Sequence, residues 1–165
     1  MADATKFQFH DPSVPKAYDE FFVPRIFGPW ADLLIKAADI HEGDSVLDVA
    51  SGPGTVARLA ATHVGASGRV VGADIALPML EIARAKPSMP GAAPIAYVES
   101  PAAPLTVESG SFDKVLCQQG LQFFPDRLAA VKEMRRALRP GGIAAIDERA
   151  PDMEGRRIVI TLGAR

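Results

Sequence analysis

The sequence predicts an α/β fold: a doubly wound, mainly parallel sheet with helices on both faces. Three observations carry this expectation. Short apolar strands alternate with segments of helical periodicity from Ser45 to Ile146, the signature of βαβ units. The turn Ser51-Gly-Pro-Gly54 joins the first strand directly to a helix, which in such sheets marks a ligand crevice at the strands' C-terminal edge. The chain has 165 residues, 48% of them hydrophobic, enough for one domain with a real core.

The elements follow in order. Ser13 is placed to cap a first helix, with Pro15 near its start. Val14, Ala17, Tyr18, Phe21 and Phe22 then repeat at helical spacing, and Pro24 is expected to interrupt. A second helix carries Trp30, Leu33, Leu34, Ala37 and Ala38 on one face, and residues 41–44 form a turn. Ser45 to Ala50 reads as a buried strand. Val56, Leu59, Ala60, His63 and Val64 mark the next helix, closed by residues 65–68, before a second strand, Arg69–Asp74. Pro78 opens a helix through about Lys86 that offers Leu80, Ile82 and Ala83 for packing. Beyond a Pro/Gly-rich loop come strands Ile95–Glu99 and Phe112–Cys117. Asp126 caps a helix with an expected inner face of Leu128, Val131, Met134 and Leu138, and residues 139–142 stop it. Ile143–Ile146 is a fifth strand, Asp147 to Gly155 is polar and turn-like, and Ile158–Leu162 is one more candidate strand. The expected division is a helical cap or lid over residues 1–42 and a cofactor-binding core over residues 43–165.

Composition narrows the function classes. Eighteen Lys and Arg stand against twenty Asp and Glu, a net charge of -2, so nothing points to nucleic acid or a membrane surface as partner. Cys117 is the single cysteine, which rules out an internal disulfide and suits a reducing, cytoplasmic compartment. One Cys and three scattered His lack the spacing of a metal site, and none is expected. The first residues do not read as a signal peptide, and no apolar run approaches the ~20 residues of a membrane span.

The site is read from Val46 to Asp74. Gly52 and Gly54 let a ligand approach the backbone closely, and the helix that begins near Thr55 aims free N–H groups into the crevice. Asp74 ends the second strand, 20 positions after Gly54, where a carboxylate accepts the hydroxyls of a ribose. Its competing role is to cap the helix that follows. On this motif alone a nicotinamide dinucleotide remains a competitor, because Ala57 stands where the third glycine of the dinucleotide fingerprint tolerates alanine.

Four segments in order carry a further resemblance: residues 46–55 (VLDVASGPGT), 69–84 (RVVGADIALPMLEIAR), 111–127 (SFDKVLCQQGLQFFPDR) and 133–142 (EMRRALRPGG). With these, the chain resembles the Rossmann-like class I S-adenosylmethionine-dependent methyltransferases, and most closely the ubiquinone/menaquinone-biosynthesis branch. The resemblance runs from about Tyr18 to Ile146. It implies that Asp48, Ala50, Ser51, Gly52 and Gly54 line the methionine part of S-adenosyl-L-methionine, largely through backbone. Asp74 would hold the ribose, and Ile75 and Met79 would flank the adenine. Pro101 and Ala102 would lie along the adenine edge, and Gln118 near the methionine end. Tyr18 is a lid candidate, and Gln122 a candidate to orient the methyl acceptor.

Two departures stand out. Pro101 falls where an acidic residue often reads the adenine amino group, and it offers neither carboxylate nor N–H. Family members usually add further strands after the fifth, so a core incomplete at its C-terminus is expected. An open sheet edge of that kind invites a homodimer. Trp30, Phe21, Phe22 and Phe27 read equally as a lid or as ordinary packing. Cys117 reads as a buried strand residue, His10 and His41 as surface residues, and the basic run Lys132–Arg139 as a solvated helix face.

The expected function is S-adenosylmethionine-dependent methyl transfer to a small molecule, with the acceptor atom (O, C or N) open and no side chain assigned as base. The alternatives are a truncated or degenerate member that binds without turnover, and a nicotinamide-dinucleotide module.

Overall fold

A computed structural model describes residues 13–149 and 157–163. Helix α1 (Ser13–Ala17) runs into a π-helical segment, Tyr18–Phe27, and on into α2 (Gly28–Ala37). The core then alternates: β1 (Ser45–Val49), α3 (Thr55–Val64), β2 (Arg69–Asp74), α4 (Leu77–Ala85), β3 (Ile95–Glu99), β4 (Phe112–Gln118), a short 3-10 turn at Leu121–Phe123, α5 (Arg127–Ala137), β5 (Leu138–Arg149) and β6 (Arg157–Gly163).

The sheet order is β3-β2-β1-β4-β5-β6. The first five strands in space are parallel, and β6 runs antiparallel to β5. The expected doubly wound sheet is therefore present, and its order reverses between β1 and β4. Alternate strand residues face opposite layers. Val46, Val70, Leu116 and Ala145 pack against Leu34 and Ile35 of α2 and Val56, Ala60 and Val64 of α3. Leu47, Val71, Val115 and Ala144 pack against Met134 and Ala137 of α5.

Several expectations shift. Pro24 does not interrupt the first helical run. The Gly28 amide bonds the Val23 carbonyl, five residues back, and this wider pitch passes the proline without breaking. Under that pitch the 3.6-residue spacing no longer sets the face, and Phe21 and Phe22 are exposed. The caps read at Ser13, and the packing of Val14, lie outside the described side chains, as does His10. In α2 the buried stripe is Ala31, Leu34, Ile35 and Ala38, one position off the expected face, with Leu33 exposed. His63 lies on the outer side of α3, bonded back to the Leu59 carbonyl. In α5 the inner face is Ala130, Met134 and Ala137, while Leu128 is 64% exposed.

Residues 139–142 form an irregularity within β5 rather than a stop before it: Phe112 pairs Leu138, then Lys114 pairs Ile143. Asp147–Arg149 belong to β5 and pair with β6, so the strand-end carboxylates sit in the sheet and not in a turn. The rest of the polar stretch, residues 150–155, lies outside the described residues. Arg136, expected on a solvated face, instead holds Glu133, the Leu105 and Val107 carbonyls and Ser109, stapling the loop after β3 onto α5.

Candidate functional site

The reversal point between β1 and β4 is where two loops diverge and leave a crevice. The turn after β1 is built for close approach. Ala50, Gly52 and Gly54 all have positive φ, of 59°, 52° and 83°. For Ala50 that is a left-handed conformation which costs of order 1 kcal/mol and is typical of ligand sites. The turn is held from three sides: the Ser51 amide bonds the Ala73 carbonyl, the Gly54 amide bonds the Ser51 carbonyl, and the Gly52 amide bonds Asp74 Oδ2 at 2.7 Å.

Gly54 must be glycine for a second reason. A Cβ there would collide with the Tyr97 hydroxyl oxygen. Tyr97 reaches that point because Asp48, Gly72 and Tyr97 are register partners across β1, β2 and β3. Gly72 has no side chain, so the Tyr97 ring lies across it, and a Cβ at Gly72 would sit 2.7 Å from the ring.

Asp48 is the electrostatic centre. It is 1% exposed. Its carboxyl accepts from the Ala57 amide in the first turn of α3, yet Oδ2 has no partner. Burial pushes its pKa up to about 8; the Ala57 amide pulls it down and the neighbouring Asp74 charge pushes it further up. The Ser51, Thr55 and Tyr97 hydroxyls are likewise buried without a partner. Asp74 is better served: Oδ1 takes the Ala76 amide at 2.8 Å and Oδ2 the Gly52 amide. Burial still holds its carboxyl above the ordinary carboxylate value. The Ile75 amide also donates to it. Asp74 thus fixes the entry to α4 as well as the turn, and a carboxylate with about four lone-pair sites keeps about one for a ligand.

A roof closes the crevice. Tyr18, Val23 and Phe27 of the π-helical segment face Asp48, Ala50, Ser51, Gly52, Pro53, Thr55, Val56 and Gln118 across a cavity of about 30 Å³. Tyr18 stacks on Phe27 with ring centroids 5.0 Å apart. Of the aromatic residues weighed as lid or packing, Phe27 lines the cavity; Phe21 and Phe22 point to solvent. Gln118 Nε2 donates to the Phe27 carbonyl and to Asp147 Oδ2, each at 3.2 Å.

The remaining candidates are more distant. Ile75 is half-buried at the start of the loop after β2, and Met79 is buried in the packing face of α4. Pro101 and Ala102 are half-buried in the loop after β3, which Ser100 knits by donating to the Pro101 carbonyl and accepting from the Thr106 amide. Gln122 is exposed outside the cavity and bonds back to Gln119. Cys117 is buried and its thiol is pushed well up, chiefly by burial, so it is no nucleophile. Sequence reasoning missed Thr55, Tyr97 and Asp147. The signal for Tyr97 was the glycine at 72, legible only once the strands are in register.

A larger apolar cavity, about 280 Å³, lies away from the crevice between α5, β5 and β6. Its lining is mostly apolar (Val131, Met134, Leu138, Ile146 and Leu162), with Arg135 and Thr161 as its polar members and no carboxylate, His or Cys. Among the described residues no group of three His, Cys, Asp or Glu is arranged to hold a metal. No described helix is long and apolar enough to cross a membrane.

A five-stranded parallel run, an antiparallel edge and a glycine turn flanked by two strand-end carboxylates define a Rossmann-like methyltransferase fold. The fold of a SAM-dependent methyltransferase from Aquifex aeolicus matches with a TM-score of 0.75 at 22% identity, covering 90% of this chain and 78% of that one. An arsenic(III) S-adenosylmethionine methyltransferase from Chlamydomonas reinhardtii matches at 0.62 and 28% identity, covering 66% and 40%. The chain belongs to the ubiE/COQ5 methyltransferase family, whose model matches residues 11–155. It is 38% identical over 113 residues to demethylmenaquinone methyltransferase of Lactococcus lactis, covering 68% of this chain and 45% of that protein. It is 35% identical over 140 residues to the ubiquinone/menaquinone biosynthesis C-methyltransferase UbiE of Xylella fastidiosa, covering 82% and 55%. The chain thus spans about half the length of the curated relatives it matches.

The residues present fit S-adenosylmethionine. Asp48 Oδ2 is a buried acceptor without a partner, suited to an ammonium group. A Cβ at Gly52 would meet nothing within 4 Å, so the backbone there is open to contact. Asp74 keeps acceptor capacity for a ribose. The roof, not the donor set, limits the space.

Proposed function

We propose that this chain binds S-adenosyl-L-methionine at the β1–β4 reversal and transfers its methyl group to a small-molecule acceptor. What supports the reading most is the pair Asp48 and Asp74 flanking the Gly52 turn in a chain of the ubiE/COQ5 family. The family match favours this cofactor over a nicotinamide dinucleotide. When bound, the sulfonium supplies an activated methyl group.

The chain's own residues do the rest. Asp74 accepts from a ribose hydroxyl with the acceptor capacity that the Gly52, Ala76 and Ile75 amides leave free. Asp48, Ala50, Ser51, Gly52 and Gly54 receive the methionine end, and Gln118 borders it. Ile75, Met79, Pro101 and Ala102 form the adenine side. Residues 1–42 act as a lid, in which Tyr18 and Phe27 exclude water from the reacting centre, the main demand of an in-line displacement. Gln122, on the turn after β4, meets the acceptor at the rim.

The acceptor we infer is a quinone-type ring carbon, because the relatives at 32–38% identity carry names of quinone methyltransferases. The chain works in the cytoplasm, where Cys117 stays a free thiol. A second copy pairs along the edge strand β6, where Ile160 and Leu162 are exposed; sedimentation giving a strict monomer at high concentration refutes that pairing. The test of function is calorimetric titration with S-adenosylmethionine, then turnover with a demethylated naphthoquinol. Absence of cofactor binding to folded protein at millimolar ligand overturns the proposal. Binding without transfer to any quinol overturns the acceptor class alone.

A further inference from the structure

The roof is tied down at both ends of its π-helical stretch. Near the start, Lys86 Nζ donates to Asp19 Oδ1 at 2.6 Å and to the Pro53 carbonyl at 2.8 Å. At the end, Gln118 donates to the Phe27 carbonyl. The two ties differ in kind. The Gln118 bond is neutral and long at 3.2 Å. The Lys86 contact is a charge-assisted bond between side chains only 24% and 21% exposed, the stronger class.

Lys86 joins two parts that belong to different layers of the site. Asp19 is on the roof, and Pro53 is the residue between the two glycines of the turn. One ammonium therefore holds the roof and the turn as a unit. The cavity between them, about 30 Å³, has room for roughly one water molecule. A pocket for a drug-sized ligand takes about 300–1,000 Å³. Roof and turn must separate to admit such a molecule, and the Lys86 bridge spans that line of separation. Lys86 does not itself line the cavity.

The geometry points to Lys86 as a positioning residue: its bridge from Asp19 to the Pro53 carbonyl latches the roof to the glycine turn and sets the rate of cofactor exchange. The proposal rests on the cofactor reading above, but it concerns passage into the site and not contact with the ligand. Breaking the latch lowers the barrier to entry and to exit, so both rates rise together while affinity moves little. A residue that merely supported the fold would lower stability without accelerating both rates.

The experiment uses the whole chain with S-adenosylhomocysteine, followed by stopped-flow fluorescence, together with hydrogen exchange of the amides from 18 to 27. Lys86→Met and Asp19→Asn are each expected to speed association and dissociation about tenfold and to speed roof exchange. The double variant should be no faster than Lys86→Met, because both changes cut one bond. Lys86→Arg should restore most of the latch. Rates within twofold of the parent in both single variants overturn the proposal, as does full additivity in the double. If Lys86→Met does not fold, Asp19→Asn decides alone. If the parent chain does not bind the ligand, the cofactor reading fails, and roof exchange decides the latch: unchanged in the variants, it is refuted.

Discussion

Replacing Asp48 by Asn keeps the shape of the site and removes a charge that folding must neutralise. Asn retains an acceptor for the Ala57 amide and puts an uncharged NH₂ where the unpartnered Oδ2 lies. In the parent, Asp48 titrates at about 8 when folded and at 3.8 when unfolded. The folded form holds the proton more tightly, so this group's contribution to stability is full below pH 3.8 and is lost as pH rises to about 8. At neutral pH the gap of roughly 3 pH units, at about 1.36 kcal/mol each, makes about 4 kcal/mol. Asp48→Asn should therefore match the parent near pH 4 and exceed it by a few kcal/mol near neutrality. Urea denaturation of both proteins across this range measures the difference directly. Two stability curves that run parallel from acid to neutral pH would refute the reasoning, because Asp48 would then be no more costly folded than unfolded. The stabilised variant should also bind cofactor more weakly, the exchange of stability for function expected where a site holds an uncompensated group.

Other outcomes follow from the same geometry. Gly54→Ala adds a Cβ at φ 83° and against the Tyr97 hydroxyl, so it should destabilise by about 2–4 kcal/mol; in the Tyr97→Phe background thermal melts should show a smaller loss, since the clash is with the hydroxyl. Cofactor affinity should rise with pH from about 6 to about 8 as Asp48 becomes an anion for the arriving ammonium, and calorimetry showing a flat profile counts against that contact. Asp126→Ala removes the bond from the Ala129 amide and should cost about 1 kcal/mol in chemical denaturation. Cys117 should react with thiol reagents only as fast as the chain opens, because burial keeps it protonated and covered; rapid modification of folded protein would contradict its placement.

The core was legible because its signals are local. Glycines at 52 and 54 punctuate a strand–turn–helix, and the apolar runs of β1, β2 and β4 carry their own bounds. Asp74 was legible for the same reason, though it does not cap α4, whose N-cap is Ala76 without a side-chain bond; it holds the Ala76 amide just before the helix while it holds the turn. What escaped depends on pairing or on unusual pitch. Tyr97 looks like an ordinary strand residue until register sets it across Gly72 from Asp48. Asp147 looked like the start of a loop because charge usually marks solvent. Here it lies within a paired strand, fully buried, with its carboxylate on the Gln118 amide. The run through Pro24 defeated a rule that holds for i→i−4 bonding and not for the wider bonding seen here.

Those misses share a cause that bears on how the site works. A crevice at a sheet reversal exposes strand ends, and polar groups placed there for a ligand look misplaced by the ordinary logic of cores and loops. Asp48, Ser51, Thr55 and Tyr97 carry buried atoms with no partner, each a cost of about 1–3 kcal/mol if left so. A roof fastened by apolar packing would have to give up its buried area every time it opened, at about 25 cal/mol per Å². This roof instead turns Phe21 and Phe22 outward and adds polar ties at both of its ends, which water can replace. The site thus carries its cost in unpartnered buried polar atoms, while the polar ties of the roof are bonds that water can replace.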